Sequence, residues 1–381
     1  MLKTIKIKGY KTLKDIELNL TPVNVLIGAN GSGKSNFISF FKLLRWMLQN
    51  PGQLQFFIGQ SGGANILLFD GAAITPQIEA ELTFETDLGK NDYFFRLSHA
   101  AGDTFIFAEE KYRFSNYNFP HLAAWQSLDA GHKEAKIIDV STMGREPTAK
   151  NIFNLLQKCA VYQFHNTSET ARIRQKWSIA DNRYLREDGA NLAPLLLRLK
   201  ETEPLYYQRI VETIQQIAPF FLDFVLEPVN FYVILQWKER NTDLIFSSHQ
   251  ASDGILRTMA LITLLLQPES DLPEVLILDE PELGLHLYAI NIVGGLIQSI
   301  SHQTQVILAT QSTQLIDCFE LEDVIVVERK NLELENNILV ERKNRESTFK
   351  RLDSKNLEDW LEEYSLSELW NNNFIGGRPS K

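Results

Sequence analysis

Alternating apolar and polar residues at the start of the chain predict a β-hairpin. "KTIKIKGY" and "LKDIELNL" both repeat with a period of two, which is typical of strands with one buried face. The next apolar segment, "VNVLIG", is predicted to be a short strand, and it runs directly into "ANGSGKSN". "FISFFKLLRWML" then has helical spacing until "NPG" breaks it. The pattern therefore predicts a hairpin, a strand, a glycine-rich loop and a helix in that order.

The middle of the chain changes character twice. From about Gln53 to Phe114, glycine-punctuated segments such as "QIEAELTFET", "YFFRLSH" and "TFIFAEE" predict an antiparallel sheet region. The part from about Phe119 to Leu226 is predicted to be helical and irregular, with "NIFNLLQKCAVYQF" and "YYQRIVETIQQIAPFFLDF" as its clearest amphipathic pieces. No heptad pattern persists for several turns, so a long coiled coil is not expected.

The last third returns to strands. "VNFYVILQW" and "DLIFSS" predict two of them, and a long apolar helix follows Gly254. "EVLILDE" and "TQVILATQS" are continuous apolar strands of the kind buried in parallel sheets, with the helix "AINIVGGLIQSI" between them. "VVERKN" and its recurrence "LVERKN" predict a hairpin around "LELENN", and the tail is predicted to be an acidic helix pair with a loose end. The whole pattern predicts a split nucleotide-binding domain with an insertion.

The glycine-rich loop carries the strongest chemical signal. Residues 28–35, "GANGSGKS", match GxxxxGK[ST] in full and lie between a predicted strand and a predicted helix. The glycines let backbone N–H groups curl around phosphate oxygens, and the helix N-terminus adds its positive end. We expect Lys34 to reach the β- and γ-phosphates and the Ser35 hydroxyl to ligate Mg²⁺. No NKxD motif follows, which favours ATP over GTP. The expected ATP-binding residues of this loop are Asn30, Gly31, Ser32, Gly33, Lys34, Ser35 and Asn36.

Acidic and polar residues end the two apolar strands of the last third. Asp279 and Glu280 close "LILDE", where the carboxyl ends of parallel strands bind ligands in open α/β sheets. Asp279 is the candidate for the Mg²⁺ shell, and Glu280 is the candidate for polarising the attacking water. "ATQS" ends the next strand and places a polar side chain beside Glu280, although an ordinary polar strand end is the alternative.

Composition and charge narrow the possible partners. The chain has 381 residues, enough for two or three domains, and its net charge is −10, so any contact with nucleic acid needs a local basic patch. One stretch, residues 171–200, has a local charge of +4, and a solvated face explains it equally well. Its charged residues are Arg172, Arg174, Lys176, Arg183, Arg186, Arg198 and Lys200 against Asp181, Glu187 and Asp188.

Other features predict an intracellular protein without a membrane segment. Cys159 and Cys318 lie far apart and form no metal-binding spacing, which fits a reduced cytoplasmic location. The N-terminus lacks a signal-peptide core, and the longest strongly apolar run, "ALITLLL", is too short to span a bilayer. His165 and His286 each lack a second ligand at usable spacing, so we expect loop or interface roles for them.

Several motifs together resemble the ABC-type ATPases of the SMC/RecF/OLD group, and within it the bacterial AAA-family (AAA_21-like) ATPases. The motifs are "IKGYKTLKDIELNL", "GANGSGKSN", "SDGILRTMALITLLL", "LILDEPELGLHL" and "ATQS", and the similarity extends to "VYQFHNTS" and "SELWNNNFIGGRP". The resemblance implies an α/β P-loop NTPase with an ABC/RecF-like split head, which has a parallel core sheet and an antiparallel β-subdomain, and a mainly helical inserted lobe. The expected parts are residues 1–115 and 231–350 for the head, 116–230 for the lobe and 351–381 for an acidic helical tail.

The resemblance also implies roles for residues outside the phosphate loop. Lys11 should approach the nucleotide from the N-terminal strands. Ser252 and Gly254 match the signature motif, which binds the γ-phosphate held by the opposite protomer. The triplet Ser252-Asp253-Gly254 is at the same time a predicted helix cap, and the two roles are compatible. Residues 283–286 match a loop that touches across the dimer.

Two glutamines depart from the family pattern or fit it weakly. Gln311 lies where many relatives carry a switch histidine, and an amide cannot take a proton, so slow turnover is expected. Gln163 is at the place of a lobe-connecting glutamine, but the preferred interpretation is structural packing.

The leading hypothesis is a Mg²⁺-dependent ATPase that closes as a head-to-tail dimer on two ATP. Closure would be coupled to double-stranded DNA or a partner protein in genome maintenance or phage defence, without a membrane. The alternative is an ATP-gated regulatory or scaffold subunit that controls a separately encoded nuclease and has little turnover of its own. An intrinsic nuclease is disfavoured because no EG…DxD acid cluster follows "ATQS", and a transporter subunit because "SDG" replaces the transporter-type signature and the insert is far larger than a coupling lobe needs.

Overall fold

The secondary structure is taken from a computed structural model that describes residues 1–119, 121–144, 146–329, 333–335, 338–340, 346–353, 360 and 363–377. The strands are β1 (Leu2–Tyr10), β2 (Leu13–Asn19), β3 (Val23–Ile27), β4 (Gln77–Thr86), β5 (Gly89–Ala100), β6 (Thr104–Asn116), β7 (Gln126–Ser127), β8 (Cys159–Tyr162), β9 (Trp177–Ser178), β10 (Phe221–Val225), β11 (Tyr232–Val233), β12 (Gln236–Glu239), β13 (Ile245–Ser247), β14 (Val275–Asp279), β15 (Gln305–Thr310), β16 (Val324–Arg329), β17 (Glu333–Glu335), β18 (Ile338–Val340) and β19 (Ser347–Arg351). The helices are α1 (Lys34–Gln49), α2 (Gln53–Gln60), α3 (Ala64–Leu67), α4 (Lys136–Thr142), α5 (Pro147–Gln157), α6 (Leu192–Thr202), α7 (Pro204–Ile217), α8 (Asp253–Leu266), α9 (Leu287–Ile300), α10 (Thr313–Ile316) and α11 (Leu366–Asn371).

The chain divides into two compact units. The first unit combines Met1–Ala160 with Leu321–Lys381, and the second is the continuous segment Val161–Glu320. The four-part division expected from the sequence, with limits at 115, 230 and 350, stays a prediction. Among the described residues, no helix is both long and apolar enough to cross a membrane.

The first unit contains an antiparallel sheet in the order β2-β1-β4-β5-β6-β7. The predicted N-terminal hairpin is confirmed, with Ile7 opposite Ile16 and the apolar residues of both strands buried. The expectation of strands from Gln53 onward is wrong at its start, where α2 and α3 form. Leu54 and Ile58 lie four residues apart and are both buried, which is the spacing of one helical face.

A second sheet of the first unit holds the phosphate loop. β3 is buried along its whole length and pairs in parallel with β16, which pairs antiparallel with β19. The predicted helix after the loop is confirmed as α1, which ends before "NPG". Its buried face includes Phe37, Phe40 and Phe41, and the ring of Tyr10 from β1 packs edge-on against Phe40 at 5.7 Å. This aromatic core anchors the helix that follows the loop.

The second unit contains the parallel pair predicted from "EVLILDE" and "TQVILATQS". β14 pairs in parallel with β15, and Asp279 lies opposite Ala309, so the carboxyl ends of both strands lie at the same edge. The apolar helices α8 and α9 pack on each other in the same unit. The neighbouring strands β10, β12 and β13 form a small antiparallel sheet. This arrangement brings residues 279–280 and 310–312 together.

Three apolar segments are divided where the sequence predicts one element each. "VNFYVILQW" is interrupted because Asn230 and Phe231 both adopt left-handed φ values, 50° and 65°, and form a turn between extended residues. The two pieces expected to be helical each end in a strand, since α5 is followed by β8 and α7 by β10.

The C-terminal predictions are only partly within the described residues. β17 pairs with β18 antiparallel, with Glu333 opposite Val340, which confirms a short hairpin in the predicted region. "VVERKN" does not form one arm of it, because β16 pairs with β3 and β19 instead. Residues 330–332, 336–337 and 341–345, and most of the first predicted tail helix, lie outside the described residues.

Candidate nucleotide-binding site

Two glycines press the phosphate loop against the strands beside it. A Cβ at Gly28 would lie 2.2 Å from the carbonyl oxygen of Val327, and a Cβ at Gly33 would lie 2.1 Å from Ser347 Oγ. Both residues also have positive φ, 154° and 118°, so a side chain is excluded by space and, at Gly33, by conformation. Gly31 has φ 79° and open space around it. The loop therefore keeps a bare, exposed rim at Gly31 while its base is fixed.

The lysine of the loop lies inside its curve. Lys34 is buried, and its Nζ donates to the carbonyl oxygens of Gly28 at 2.5 Å and Ala29 at 3.2 Å. Asn30 and Ser35 are exposed beside it. An ammonium group, a left-handed glycine and the N-terminus of a 16-residue helix all meet at this point, and this donor set fits a polyphosphate.

The remaining predicted loop residues are held within the first unit. Ser32 is buried, and Asn36 Nδ2 donates to Thr12 Oγ1 at 2.8 Å. Lys11 has φ 49° and donates from Nζ to Ser39 Oγ at 3.0 Å, so its ammonium lies on α1 one turn after Ser35. Burial, and then the nearby Lys42 charge, lower the pKa of Lys11.

A C-terminal segment also contacts the loop, which the sequence does not reveal. The carbonyl oxygen of Gly377 accepts from the Ala29 N–H at 2.7 Å, and the Gly377 N–H donates to Glu328 Oε1 at 2.7 Å. Gly376 and Gly377 both have φ near +80°. The repeated glycines of "FIGGRP" are the only local signal of this contact, and it joins residues at opposite ends of the chain.

In the second unit, an amide and a histidine hold Asp279. Asp279 is buried at the end of β14, and Gln163 Nε2 donates to its carboxylate. His165 Nε2 bonds to the backbone carbonyl of the same residue at 2.9 Å. The Gln163 amide therefore faces the acid proposed for the Mg²⁺ shell, and its interpretation as a packing residue stays a prediction.

Glu280, which follows Asp279, is hydrogen-bonded to residues at the end of β15. Glu280 has φ 46°, a strained conformation for a residue with a side chain, and its N–H donates to the Ala309 carbonyl oxygen at 2.8 Å. Gln311 Nε2 donates to the Glu280 carboxylate. The expected neighbourhood of Glu280 and "ATQS" is therefore present in this unit.

Glu282 is a further acid of this cluster, and the motifs alone do not single it out. Its carboxylate accepts from Thr310 Oγ1 at 2.6 Å and from the Gln311 N–H at 3.1 Å. Burial raises the pKa of Glu282, and the bonds from Thr310 and Gln311 oppose that effect. The local signal for Glu282 in the sequence is its place as the third acid of "LDEPE".

The signature triplet opens α8 as predicted from its cap pattern. Ser252 Oγ accepts from the Ile255 N–H at 3.4 Å, and both Ser252 and Asp253 are exposed. A Cβ at Gly254 would lie 2.5 Å from the carbonyl oxygen of Gly284, so the helix requires glycine there for a close approach within its own chain. His286 caps α9 through Nδ1, which accepts from the Tyr288 N–H at 3.4 Å.

Arg257 on α8 connects three of these loops. It donates to the carbonyl oxygens of Phe164 at 3.1 Å and His165 at 3.0 Å, and to that of Leu283 at 3.4 Å. These carbonyls belong to the segments that contact Asp279 and follow Glu280. Arg257 therefore connects the segments beside the acids to α8.

The basic stretch is mostly neutralised within the second unit. Five of its seven cations are ion-paired: Arg172 with Asp188, Arg174 with Asp253, Arg186 with Asp181, Arg198 with Asp271 and Lys200 with Asp223. In the part of the chain that the structure describes, Lys176 and Arg183 are exposed without an ion pair. The local charge of +4 counted from the sequence therefore overstates the cationic surface.

A family model describes most of this chain. The model AAA_21, "AAA domain, putative AbiEii toxin, Type IV TA system", matches residues 23–317. The chain belongs to the AAA_21 family. The family resemblance expected from the motifs is confirmed. No curated protein matches the sequence significantly.

Solved structures of SMC heads share the fold of this AAA_21 protein. A crystal structure of the SmcHead bound to the C-winged helix domain of ScpA is 14% identical, with a TM-score of 0.58, over 93% of this chain and 99% of that one. An Smc head domain with an extended coiled coil, bound to the C-terminal domain of ScpA and derived from Pyrococcus furiosus, is 15% identical, with a TM-score of 0.56, over 95% and 98%. The predicted α/β P-loop NTPase fold is confirmed, and the protein is an AAA-type P-loop ATPase that shares the fold of SMC heads.

Proposed function

We propose that this AAA_21 protein binds ATP at residues 28–36 and closes as a head-to-tail dimer on two ATP. The observation that carries the proposal is the exposed start of α8, where Ser252 and Asp253 face solvent at the N-terminus of a 14-residue helix. Such a terminus attracts an anion. A second copy of the chain, with ATP held by its own phosphate loop, would supply that anion.

Each motif has a defined part in the proposed hydrolysis. Lys34 would balance the phosphate charge, and Ser35 and Asp279 would supply oxygen ligands to Mg²⁺, which neutralises charge on the phosphates when bound. Glu280 would orient the attacking water and accept its proton. Gln163 and Gln311 would set the positions of the two acids, since their amides already donate to them.

Closure of the dimer would be coupled to double-stranded DNA or a partner protein in genome maintenance or phage defence. SMC heads, which share the fold, were solved with ScpA bound, and this supports a protein partner for the fold generally. The ATPase rate with and without double-stranded DNA, at low and high salt, separates the two. Stimulation that fades with salt identifies DNA, because phosphate contacts are salt-dependent.

The alternative of an ATP-gated regulatory or scaffold subunit, controlling a separately encoded nuclease, is favoured by one observation. Both acids accept a hydrogen bond from a glutamine amide, Asp279 from Gln163 and Glu280 from Gln311. An amide cannot relay a proton. Under this alternative, Glu280→Gln leaves turnover unchanged, whereas Lys34→Ala abolishes ATP-dependent assembly.

Mixing two inactive variants tests the composite sites. A Glu280→Gln protomer and a Ser252→Arg protomer each lose activity alone, because each lacks one half of every site. In the mixed dimer, one site combines the intact Glu280 of one chain with the intact Ser252 of the other. We expect activity to exceed the mean of the two variants several-fold, measured as phosphate release.

The mixture must be compared with Lys34→Ala in place of Ser252→Arg, which removes ATP binding from one chain. Activity equal to the average of the parents would contradict completion by a second copy. Micromolar ATP affinity retained by Lys34→Ala in isothermal titration would contradict the phosphate site itself.

A further inference from the structure

Arg174 belongs to the basic stretch but is buried, with 6% of its surface exposed. Its Nε donates to the Thr167 carbonyl oxygen at 2.8 Å, and its Nη1 donates to the carbonyl oxygens of Ser248 and, at 3.2 Å, Ala251. Its Nη2 donates to Asp253 Oδ1 at 3.0 Å. One guanidinium therefore fastens the loop in front of α8 to the segment that follows β8.

The contact is reciprocal, which fixes its geometry. Ser248 is fully buried, and its Oγ donates to the Arg174 carbonyl oxygen at 2.9 Å. A planar guanidinium with all three nitrogens engaged permits one orientation of its partners, whereas a lysine would act as a point charge. The loop at 248–253 is thus held as one piece.

Asp253 presents an electrostatic problem for the proposed dimer. It lies between Ser252 and Gly254, and 58% of its side chain is exposed. A carboxylate at a helix N-terminus suits its own helix, but it repels an incoming phosphate. Between unit charges a few ångströms apart near a surface, this repulsion changes affinity by about tenfold or more.

We propose that Arg174 is a positioning residue for phosphate recognition in trans: it neutralises Asp253 and holds the loop so that Ser252 and Gly254 accept the γ-phosphate of a second copy's ATP. This inference rests on the proposed dimer and deepens it. The carboxylate keeps its role at the helix start while its charge is balanced from the protein side. The signature triplet is then compatible with an anion despite its acidic middle residue.

A neighbouring arginine provides a matched control. Arg172 lies in the same short helical turn, Arg172–Arg174, but is exposed. It pairs with Asp188 at 3.0 Å and packs over the ring of Trp177 at 4.7 Å. Both residues are ion-paired arginines of one turn, and of the two only Arg174 contacts the loop at 248–253.

The test measures ATP-dependent dimerisation of the full chain by sedimentation in a Glu280→Gln background, which blocks turnover. We expect Arg174→Ala to weaken assembly by about tenfold or more and Arg172→Ala to change it by less than about twofold. Adding Asp253→Asn to Arg174→Ala removes the unbalanced charge and should restore assembly to within about threefold of the parent. Arg174→Lys keeps a positive charge and should lose less than Arg174→Ala.

Each result decides the inference. Unchanged assembly in Arg174→Ala, an equal loss in Arg174→Lys, or a loss that Asp253→Asn does not restore would each overturn it, and a melting curve on every variant reports folding. If the Glu280→Gln parent itself stays monomeric with ATP, the proposed dimer is wrong and the role of Arg174 falls with it. If the Glu280→Gln parent assembles with ATP, and Arg174→Ala and Arg172→Ala assemble to the same extent, the role of Arg174 is wrong while the proposed dimer stands.

Discussion

At the residue scale, the amide of Gln311 donates to the Glu280 carboxylate, which is the group proposed to take a proton from water. A glutamine can hold the acid in place but cannot receive the proton afterwards. The contact therefore supports the expectation of slow turnover.

Gln311→His should raise turnover. An imidazole at this position can both contact the γ-phosphate and exchange a proton near neutral pH, so we expect kcat to increase by about tenfold or more. The measurement is steady-state phosphate release at saturating ATP. Gln311→Ala is the companion variant, and it should lower kcat because Glu280 then loses the hydrogen bond that holds it in position. A histidine variant no faster than the parent would show that proton exchange at this position does not limit turnover.

At the element scale, the C-terminal Gly-Gly segment (Gly376–Gly377) supports the phosphate loop. A Cβ at Gly377 would lie 3.0 Å from Val326 Cγ1 and 3.5 Å from Gly28 Cα, at φ 82°. Gly377→Val should therefore displace the segment from Ala29 and weaken ATP binding by about tenfold, measured by isothermal titration.

The control for that variant is Gly131→Val. Gly131 has φ 86°, and a Cβ at this residue would have open space around it, with no neighbouring atom within 4 Å. The substitution therefore carries the conformational penalty of about 1–2 kcal/mol without a collision. We expect it to lower stability while leaving ATP affinity unchanged. Equal ATP affinities in Gly377→Val and Gly131→Val would show that the Gly-Gly segment does not contribute to nucleotide binding.

A buried carboxyl joins β6 to α4 and makes the first unit sensitive to pH. Glu110 accepts from Tyr93 OH at 2.8 Å and from the Lys136 and Ile137 N–H groups at 2.8 and 3.2 Å. Burial raises the pKa of Glu110 above 4.5, and these bonds, led by the one from Tyr93, only partly oppose it. Because the folded pKa is raised, the stability that this group adds is fully present below the unfolded pKa and is lost as pH rises through the folded value.

Glu110→Gln should flatten this part of the pH profile. The fall in unfolding free energy between pH 4.5 and 7 should shrink by about 1.4 kcal/mol for each unit by which the pKa is raised. Urea denaturation at pH 4.5 and pH 7 measures the change. Glu17→Gln, on the exposed face of β2, is the control and should leave the difference between the two pH values as it is in the parent. An unaltered slope in Glu110→Gln would mean that other groups set it.

The elements also show what the sequence can and cannot predict. Local period predicts β1, β2 and α1, because one buried face repeats along each of them. β14 and β15 follow instead from continuous apolar runs, which are buried along their whole length. The phosphate loop and the acids at the end of β14 follow from motifs that are contiguous in the chain. Gln163 on Asp279 and Gly377 on Ala29 join residues 116 and 348 positions apart, and no local pattern records such pairs. Arg174 was counted as surface charge because pairing is invisible in composition.

At the scale of the whole molecule, the proposed dimer predicts a change of mass on ATP binding. The chain has a mass of 43.7 kDa. We expect Glu280→Gln with ATP and Mg²⁺ to sediment as a dimer of about twice that mass, and Lys34→Ala to stay a monomer. Glu280→Gln with ADP is the matched control, because ADP lacks the γ-phosphate that the signature would bind. Assembly that is equal with ATP, with ADP and without nucleotide would contradict an ATP-driven closure.

The contact between Gly377 and Ala29 also constrains when the phosphate loop can reach its final structure during synthesis. Translation proceeds from the N-terminus, so residues 28–35 are synthesised long before Gly377, which contacts them. The first unit contains both ends of the chain, and the whole second unit is synthesised in between. The hydrogen bond from the Ala29 N–H to the Gly377 carbonyl oxygen therefore has to wait until translation reaches Gly377.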